Sequence, residues 1–220
     1  YTTPAVSFTV NPKTMTGIEA EAVQVVYDKT GHGISVSGYP TGATVTYGLT
    51  EDGCTLTSSP TFTDVSAEAY TVYYKITAKG HNDYTGSATV KITPKVAELS
   101  WSDTAFTYDG SMHTPTAAVS NLCTGDTCMV TVTGGQKDYS ASAYTATATA
   151  LDNPNYKLPD AETARQTEFT IGKKELGVTW SNTEFTYDQT AHKPTATLTG
   201  VVSGDVCNVT VTGEQTNAGT

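Results

Sequence analysis

The stretch Phe106-Thr107-Tyr108-Asp109-Gly110-Ser111-Met112-His113-Thr114-Pro115 is written three times in this chain. It returns as Phe185-Thr186-Tyr187-Asp188-Gln189-Thr190-Ala191-His192-Lys193-Pro194, and more loosely as Val25-Val26-Tyr27-Asp28-Lys29-Thr30-Gly31-His32-Gly33. Tyr27, Tyr108 and Tyr187 stand 81 and 79 residues apart, a period that suits one small domain per copy. Phe106 and Tyr108 lie two apart, as do Val25 with Tyr27 and Phe185 with Tyr187, so each pair shares one face of a strand and reads as core. The following aspartate can accept a hydrogen bond from the backbone two residues on and so turn the chain. Gly110 would ease a positive φ at the next place, where Lys29 and Gln189 stand in the other copies.

Working outward, Val10-Asn11-Pro12-Lys13 recurs as Ile92-Thr93-Pro94-Lys95 and Ile171-Gly172-Lys173-Lys174. These are the seams. Residues 1–13 read as the last strand of a preceding repeat, with Val6, Phe8 and Val10 on one face. Residues 14–95 are the first repeat, 96–174 the second, and 175–220 a third that is incomplete. Short seams, two of them with proline, limit swinging between neighbours and predict an elongated array.

Inside the repeats the period is two. Tyr70, Val72, Tyr74, Ile76 and Ala78 fall on one face, with Thr71, Tyr73, Lys75 and Thr77 opposite. Tyr144, Ala146, Ala148 and Ala150 do the same, and Cys128, Val130 and Val132 return as Cys207, Val209 and Val211. No stretch carries a helical period. Short strands broken by Gly, Asp, Asn and Pro point to an all-β chain of tandem small antiparallel β-sandwiches, Ig-like or β-grasp-like in closure.

Composition narrows the partners. The formal net charge is -10, from 22 acidic and 12 basic residues, which argues against a nucleic-acid partner and against a polybasic membrane contact. No apolar run reaches the ~20 residues of a membrane span. Four cysteines match no zinc spacing and are too few for a disulfide-built scaffold.

Several motifs together resemble a family, the YDG-type repeats of large bacterial surface proteins, related to mirror β-grasp and bacterial Ig-like domains. They are Tyr27-Asp28, Tyr108-Asp109 and Tyr187-Asp188 with their histidines. With them go the strand Tyr84-Thr85-Gly86-Ser87-Ala88-Thr89-Val90-Lys91-Ile92-Thr93-Pro94-Lys95 and the run Asn155-Tyr156-Lys157-Leu158-Pro159. A further signature, Ala-Gly-Thr-Tyr-Thr, stands as Ala67-Glu68-Ala69-Tyr70-Thr71 and Ala141-Ser142-Ala143-Tyr144-Thr145, with Glu68 and Ser142 departing from the glycine. The resemblance implies an exported, extracellular array on a bacterial cell surface that spaces or presents an adhesive region, with no catalytic residues.

Candidate sites are few. His32, His113 and His192 can ligate metals, but one per repeat places them on the order of 30–40 Å apart in ordinary strand geometry. They read instead as turn-closing residues bonded to Asp28, Asp109 and Asp188 or to backbone. Cys123 and Cys128 flank Thr124-Gly125-Asp126-Thr127, a loop that can set their Cβ atoms opposite one another for a local disulfide; Val202 replaces Cys123 in the third copy. Cys54 has no counterpart. Trp101 and Trp180 are equivalent; each suits packing at a core edge, or stacking on a sugar if exposed. Tyr73 is the other aromatic that can offer a glycan-binding surface. Asp103, Asp126 and Asp205 read as solvated loop charge, since no calcium-loop pattern surrounds them.

No Gly-x-Ser-x-Gly, His-Glu-x-x-His, phosphate-loop or dinucleotide pattern occurs. The expectation is a non-enzymatic stalk or spacer without cofactor or metal. The alternative is a module that binds a host glycan or matrix protein through Trp101, Trp180 or Tyr73, or an accessory repeat of a carbohydrate-active enzyme. The unfinished third repeat is expected to accept a strand from a neighbouring chain, with residues 1–13 as the donor.

Overall fold

The long period-two runs form strands, Tyr70–Thr77 and Tyr144–Leu151, in the computed structural model, which describes residues 4–219. The described residues hold strands and two short 3-10 turns, and the chain is all-β. Among the described residues no helix is long and apolar enough to cross a membrane.

The first four-stranded sheet runs in the order Val23–Val26, Tyr84–Thr93, Tyr70–Thr77, Thr44–Gly48. Tyr70–Thr77 pairs antiparallel with both neighbours, through Val72 opposite Ala88 and Tyr47 opposite Tyr74. Val23–Val26 instead runs parallel to Tyr84–Thr93, with Val23 opposite Val90. A second sheet has the order Val130–Thr133, Tyr144–Leu151, Gln166–Gly172, Ala105–Thr107. Its last pair is parallel too, with Ile171 opposite Phe106. The two sheets match strand for strand.

The expectation of purely antiparallel sheets is therefore corrected. The strand carrying the Tyr-Asp motif and the strand before the next seam run the same way, side by side. A parallel pair needs a long crossover, and the whole intervening domain supplies it.

Alternation fixes which side is core. Val72, Ile76 and Val90 are fully buried and Tyr74 nearly so, joined by Met15, Tyr27, Ile34, Val36, Ile92 and Tyr156. Each such aliphatic side chain contributes about 1.5–3 kcal/mol by leaving water. The second core is thinner. Ala146, Phe169 and Ile171 are buried, with Trp101, Phe106, Tyr108, Val132 and Tyr144 packed round them, because alanines stand where the first sheet has Val72 and Tyr74.

The chain forms two compact units. One is Tyr1–Glu98 with Val119–Val130 and Leu151–Asp160; the other is Leu99–Ala118, Thr131–Ala150 and Ala161–Thr220. Two loops beyond the seam at Lys95 thus belong to the first unit.

Three strand expectations fail. Residues 4–12 are in no strand, and Val6, Phe8 and Val10 are exposed; alternation makes a strand only where a neighbouring backbone is paired, and pairing starts at Lys13, opposite His81. The lead residues 1–3 of that expected strand lie outside the described residues. In the third copy Phe185 and Tyr187 are exposed rather than core, and Cys207, Val209 and Val211 lie in no strand, for want of a paired neighbour. The described residues after Lys174 hold Gly177–Ser181 paired with Thr195–Thr199, with no counterpart of the strand that covers Tyr27 and Tyr108.

Candidate functional site

The Tyr-Asp motif builds two structures at once, a turn and a clasp. In the turn, Asp28 Oδ1 accepts from the Thr30 backbone N–H at 2.8 Å and lies 2.9 Å from His32 Nε2. Asp109 repeats this with Ser111 N–H at 2.8 Å and His113 Nε2 at 2.9 Å, and Asp188 with Thr190 N–H at 2.9 Å and His192 Nε2 at 2.7 Å. Each histidine also exchanges two backbone hydrogen bonds with a facing residue, His32 with Phe62, His113 with Gln136, His192 with Gln215. His113 and His192 stack on the motif phenylalanines, at 4.5 Å from Phe106 and 4.6 Å from Phe185.

These contacts favour the carboxylate form. His32 first, then the Thr30 N–H, hold the Asp28 carboxyl down at about 2. The Thr190 hydroxyl does most for Asp188, also at about 2, and the Ser111 N–H lowers Asp109. Lys29, Gly110 and Gln189 follow the aspartates with φ of 65°, 83° and 66°. The turn therefore imposes a left-handed residue whatever its type, at a cost of order 1 kcal/mol for the two side chains that carry a Cβ. The three histidines stay one to a turn, and among the described residues no group of three or more His, Cys, Asp or Glu is placed to hold a metal ion.

The clasp lies on the other side of the tyrosine. Tyr27 Oη donates to Asp126 Oδ2 at 2.9 Å, and Tyr156 Oη donates to the same oxygen at 2.8 Å. Lys29 Nζ reaches Asp126 Oδ1 at 2.7 Å and the Thr124 carbonyl at 2.9 Å. The Cys123 backbone N–H donates to Tyr156 Oη at 2.7 Å. The rings of Tyr27 and Tyr156 meet edge to face, 5.6 Å apart, and the Asp126 side chain is only 9% exposed. Nearby, Asn155 ties the same unit together by accepting from the Val65 N–H at 2.8 Å and donating to Asp64 at 2.9 Å.

Electrostatics follow from that packing. Lys29 above all, then Tyr156, lower the Asp126 carboxyl. Burial, then the neighbouring carboxylate, pushes the Tyr27 phenol up to about 12. Burial likewise raises Tyr156. Each shift holds the clasp in its phenol and carboxylate state at neutral pH.

A second clasp forms in the second unit. Tyr108 Oη donates to Asp205 Oδ1 at 3.1 Å, and that bond is the chief cause of a raised Tyr108 phenol. Gly110 stands where Lys29 would be, and among the described residues Asp205 makes no ion pair; it is exposed. Asp126 and Asp205 each end a four-residue turn, closed by Asp126 N–H to the Cys123 carbonyl and Asp205 N–H to the Val202 carbonyl, both at 3.0 Å. Gly125 and Gly204 take the positive φ those turns need, 81° and 95°.

That turn overturns two expectations. Asp126 is not solvated loop charge but the centre of the clasp; the signal was Thr124-Gly125-Asp126 recurring as Ser203-Gly204-Asp205. Cys123 and Cys128 are free thiols. The chain closes between Cys123 and Asp126, two residues short of the closure that would set the two cysteines opposite each other. Cys54 and Cys207 are free as well.

The aromatic candidates separate. Trp101 is half-buried against the second core, whereas Trp180 is 53% exposed on its two-stranded sheet. Tyr73 is half-buried on the outer face of the first sheet, beside Glu51, Thr85 and Ser87. These three aromatics are brought into no common site.

No family model matches the chain, and no curated protein matches it significantly.

Proposed function

We propose that this chain is a run of tandem, non-enzymatic all-β repeats serving as a stalk or spacer in an extracellular bacterial surface protein of the YDG or mirror β-grasp kind. The observation that carries the reading is the recurring clasp. Tyr27 meets Asp126 across 99 residues, and Tyr108 meets Asp205 across 97. In both cases the motif tyrosine of one copy holds the Gly-Asp turn of the following copy within one compact unit, so each unit is completed by residues of the next copy, as expected of a tandem string. The matching strand order of the two sheets supports a repeat, and the parallel pairing of first with last strand favours a β-grasp-like closure over an antiparallel sandwich. The net charge of -10 suits a soluble, unsticky surface.

In-frame removal of residues 96–174 from the intact surface protein tests this. A spacer predicts a reach shortened by one repeat, read by the height of a terminal epitope above the envelope, with ligand binding by the rest of the protein unchanged. Loss of a specific ligand or of a catalytic activity on that deletion overturns the reading.

A further inference from the structure

The two matching sheets differ in the lengths of their connections. The connection between Thr44–Gly48 and Tyr70–Thr77 covers residues 49–69, about twice the connection 134–143 at the same position in the second sheet. The extra residues fold back as a hairpin. Its base is a pair of backbone hydrogen bonds between Tyr47 and Leu56, at 2.8 and 2.9 Å, and its tip is the turn Glu51–Gly53. The tip is fastened by Gly53 N–H to the Thr50 carbonyl at 3.1 Å and by Cys54 Sγ to the Glu51 carbonyl at 3.6 Å.

The hairpin tip lies over the outer face of the sheet because Gly48 leaves room. A Cβ there would run into the Gly53 carbonyl and come within 2.9 Å of the Cys54 nitrogen. Gly48 is paired opposite Tyr73, and Tyr73 opposite Ser87. The result is a notch of about 230 Å³ lined by Glu51, Tyr73, Tyr74, Thr85, Gly86 and Ser87. Counting from Tyr70 and Tyr144, the place of Tyr73 is Thr147 in the second sheet, where no hairpin reaches it.

We infer that this notch is a binding site for one ring of a neutral, polyhydroxylated ligand, that is, an uncharged sugar unit. The half-buried Tyr73 ring supplies the apolar surface on which the C–H face of a pyranose packs. Glu51 accepts from vicinal hydroxyls, and Thr85 and Ser87 both donate and accept. Its size lies below the roughly 300–1,000 Å³ of drug-sized pockets and fits a single ring. Glu51 and Asp52 sit on the hairpin, the notch lining carries no cation, and Lys75, two residues from Tyr73, is already paired with Asp83 at 2.8 Å. Sialylated, uronate or sulfated sugars are therefore disfavoured. The inference does not depend on the spacer reading, since a spacer repeat can carry a grip and a grip can sit on a rigid or a flexible string.

The test is a backbone NMR titration of the whole chain with methyl mannoside, cellotetraose and N,N′,N″-triacetylchitotriose, each to 20 mM, with calcium chloride and sialyllactose as controls. The expected result is millimolar binding of at least one neutral sugar, with shifts confined to residues 48–54, 73 and 85–87. Tyr73→Ala should weaken it at least tenfold, and Glu51→Gln three- to tenfold. Because Tyr73 is half-buried, each variant is checked for an unchanged amide spectrum away from the notch. Should Tyr73→Ala disturb the sheet, replacing residues 49–58 by a short turn removes the notch from the hairpin side instead. No shift at the notch with any neutral sugar, binding unaffected by either the tyrosine or the hairpin change, or preferential response to calcium or sialyllactose overturns the inference.

Discussion

Tyr27→Phe removes one oxygen from the clasp and leaves everything else in place. The ring is 4% exposed and stays packed edge to face on Tyr156, so no apolar burial is lost and no cavity opens. What goes is one O–H donated to a carboxylate, a class of bond that contributes about 1.5–3 kcal/mol. Asp126 keeps Tyr156 and Lys29, so its charge is not stranded, which sets the loss near the lower end, about 1.5–2 kcal/mol. For a protein of this size that lowers the melting temperature of the first unit by about 3–8 °C. Amide exchange of Val72, Ile76 and Val90 reads that unit separately, which matters because two units need not melt together. Tyr108→Phe is the contrast, expected to change little, since its partner Asp205 is exposed and has no lysine. A pH arm follows from the phenol pushed up from 10.0 to about 12. The raised value means the bond stabilises fully below pH 10 and is lost as pH rises from 10 towards 12, and Tyr27→Phe should flatten that part of the stability profile. The reasoning fails if Tyr27→Phe costs under about 0.5 kcal/mol, within the scatter of ordinary surface changes. It also fails if the loss is the same in an Asp126→Asn background, because the two groups would then be uncoupled.

Three further outcomes are expected. Asp28 and Asp188, held at about 2, and Asp109, also lowered, should titrate below the other carboxyls by carbon-detected NMR. Their depressed values mean the turn contributes above the unfolded carboxyl pKa near 4 and is lost only as pH falls towards 2; three unshifted carboxyls would contradict the turn geometry. Burial raises the thiols of Cys54 and Cys128 while Cys207 is exposed, so a disulfide reagent at pH 8 should label Cys207 first and those two last, as followed by peptide mass. Gly86→Ala would place a Cβ 2.5 Å from Tyr74 Oη and 2.6 Å from its Cζ; as Tyr74 is buried, the substitution should cost about 1–3 kcal/mol in urea unfolding.

Strand identity was legible because period-two alternation with buried Val, Ile and Tyr is a local property. Val72, Tyr74 and Ile76 are buried as the alternation of Tyr70–Thr77 requires. The turn was legible for the same reason, since Asp28 reaches a backbone N–H two residues away. The parallel pairing was not, because strand direction depends on how the whole domain returns. Nor was the notch. The first copy has the longer connection at 49–69, but the second has the longer one at 152–165 against 78–83. The two differences nearly cancel, so the tyrosine spacing stays close to even and hides where the copies diverge.

The clasp shows why single positions misled. Lys29 and Gly110 occupy one left-handed place, and glycine alone would suggest that the backbone decides the residue there. The partner turn says otherwise. A Cβ on Gly110 would lie 2.8 Å from Val202 Cγ1, so with a branched valine on the facing turn a side chain at 110 is crowded as well as strained. At the first clasp the place of Val202 is taken by Cys123, unbranched and smaller, and there Lys29 extends past it to Asp126 and the Thr124 carbonyl. The residue at the left-handed place is therefore set by a side chain almost a hundred positions away on the facing turn. Asp126 with lysine and cysteine makes a closed, charged clasp; Asp205 with glycine and valine makes an open one. The two clasps built on the same motif are thus held with different strength, and the difference resides in the pair, not in the Tyr-Asp motif that the copies share.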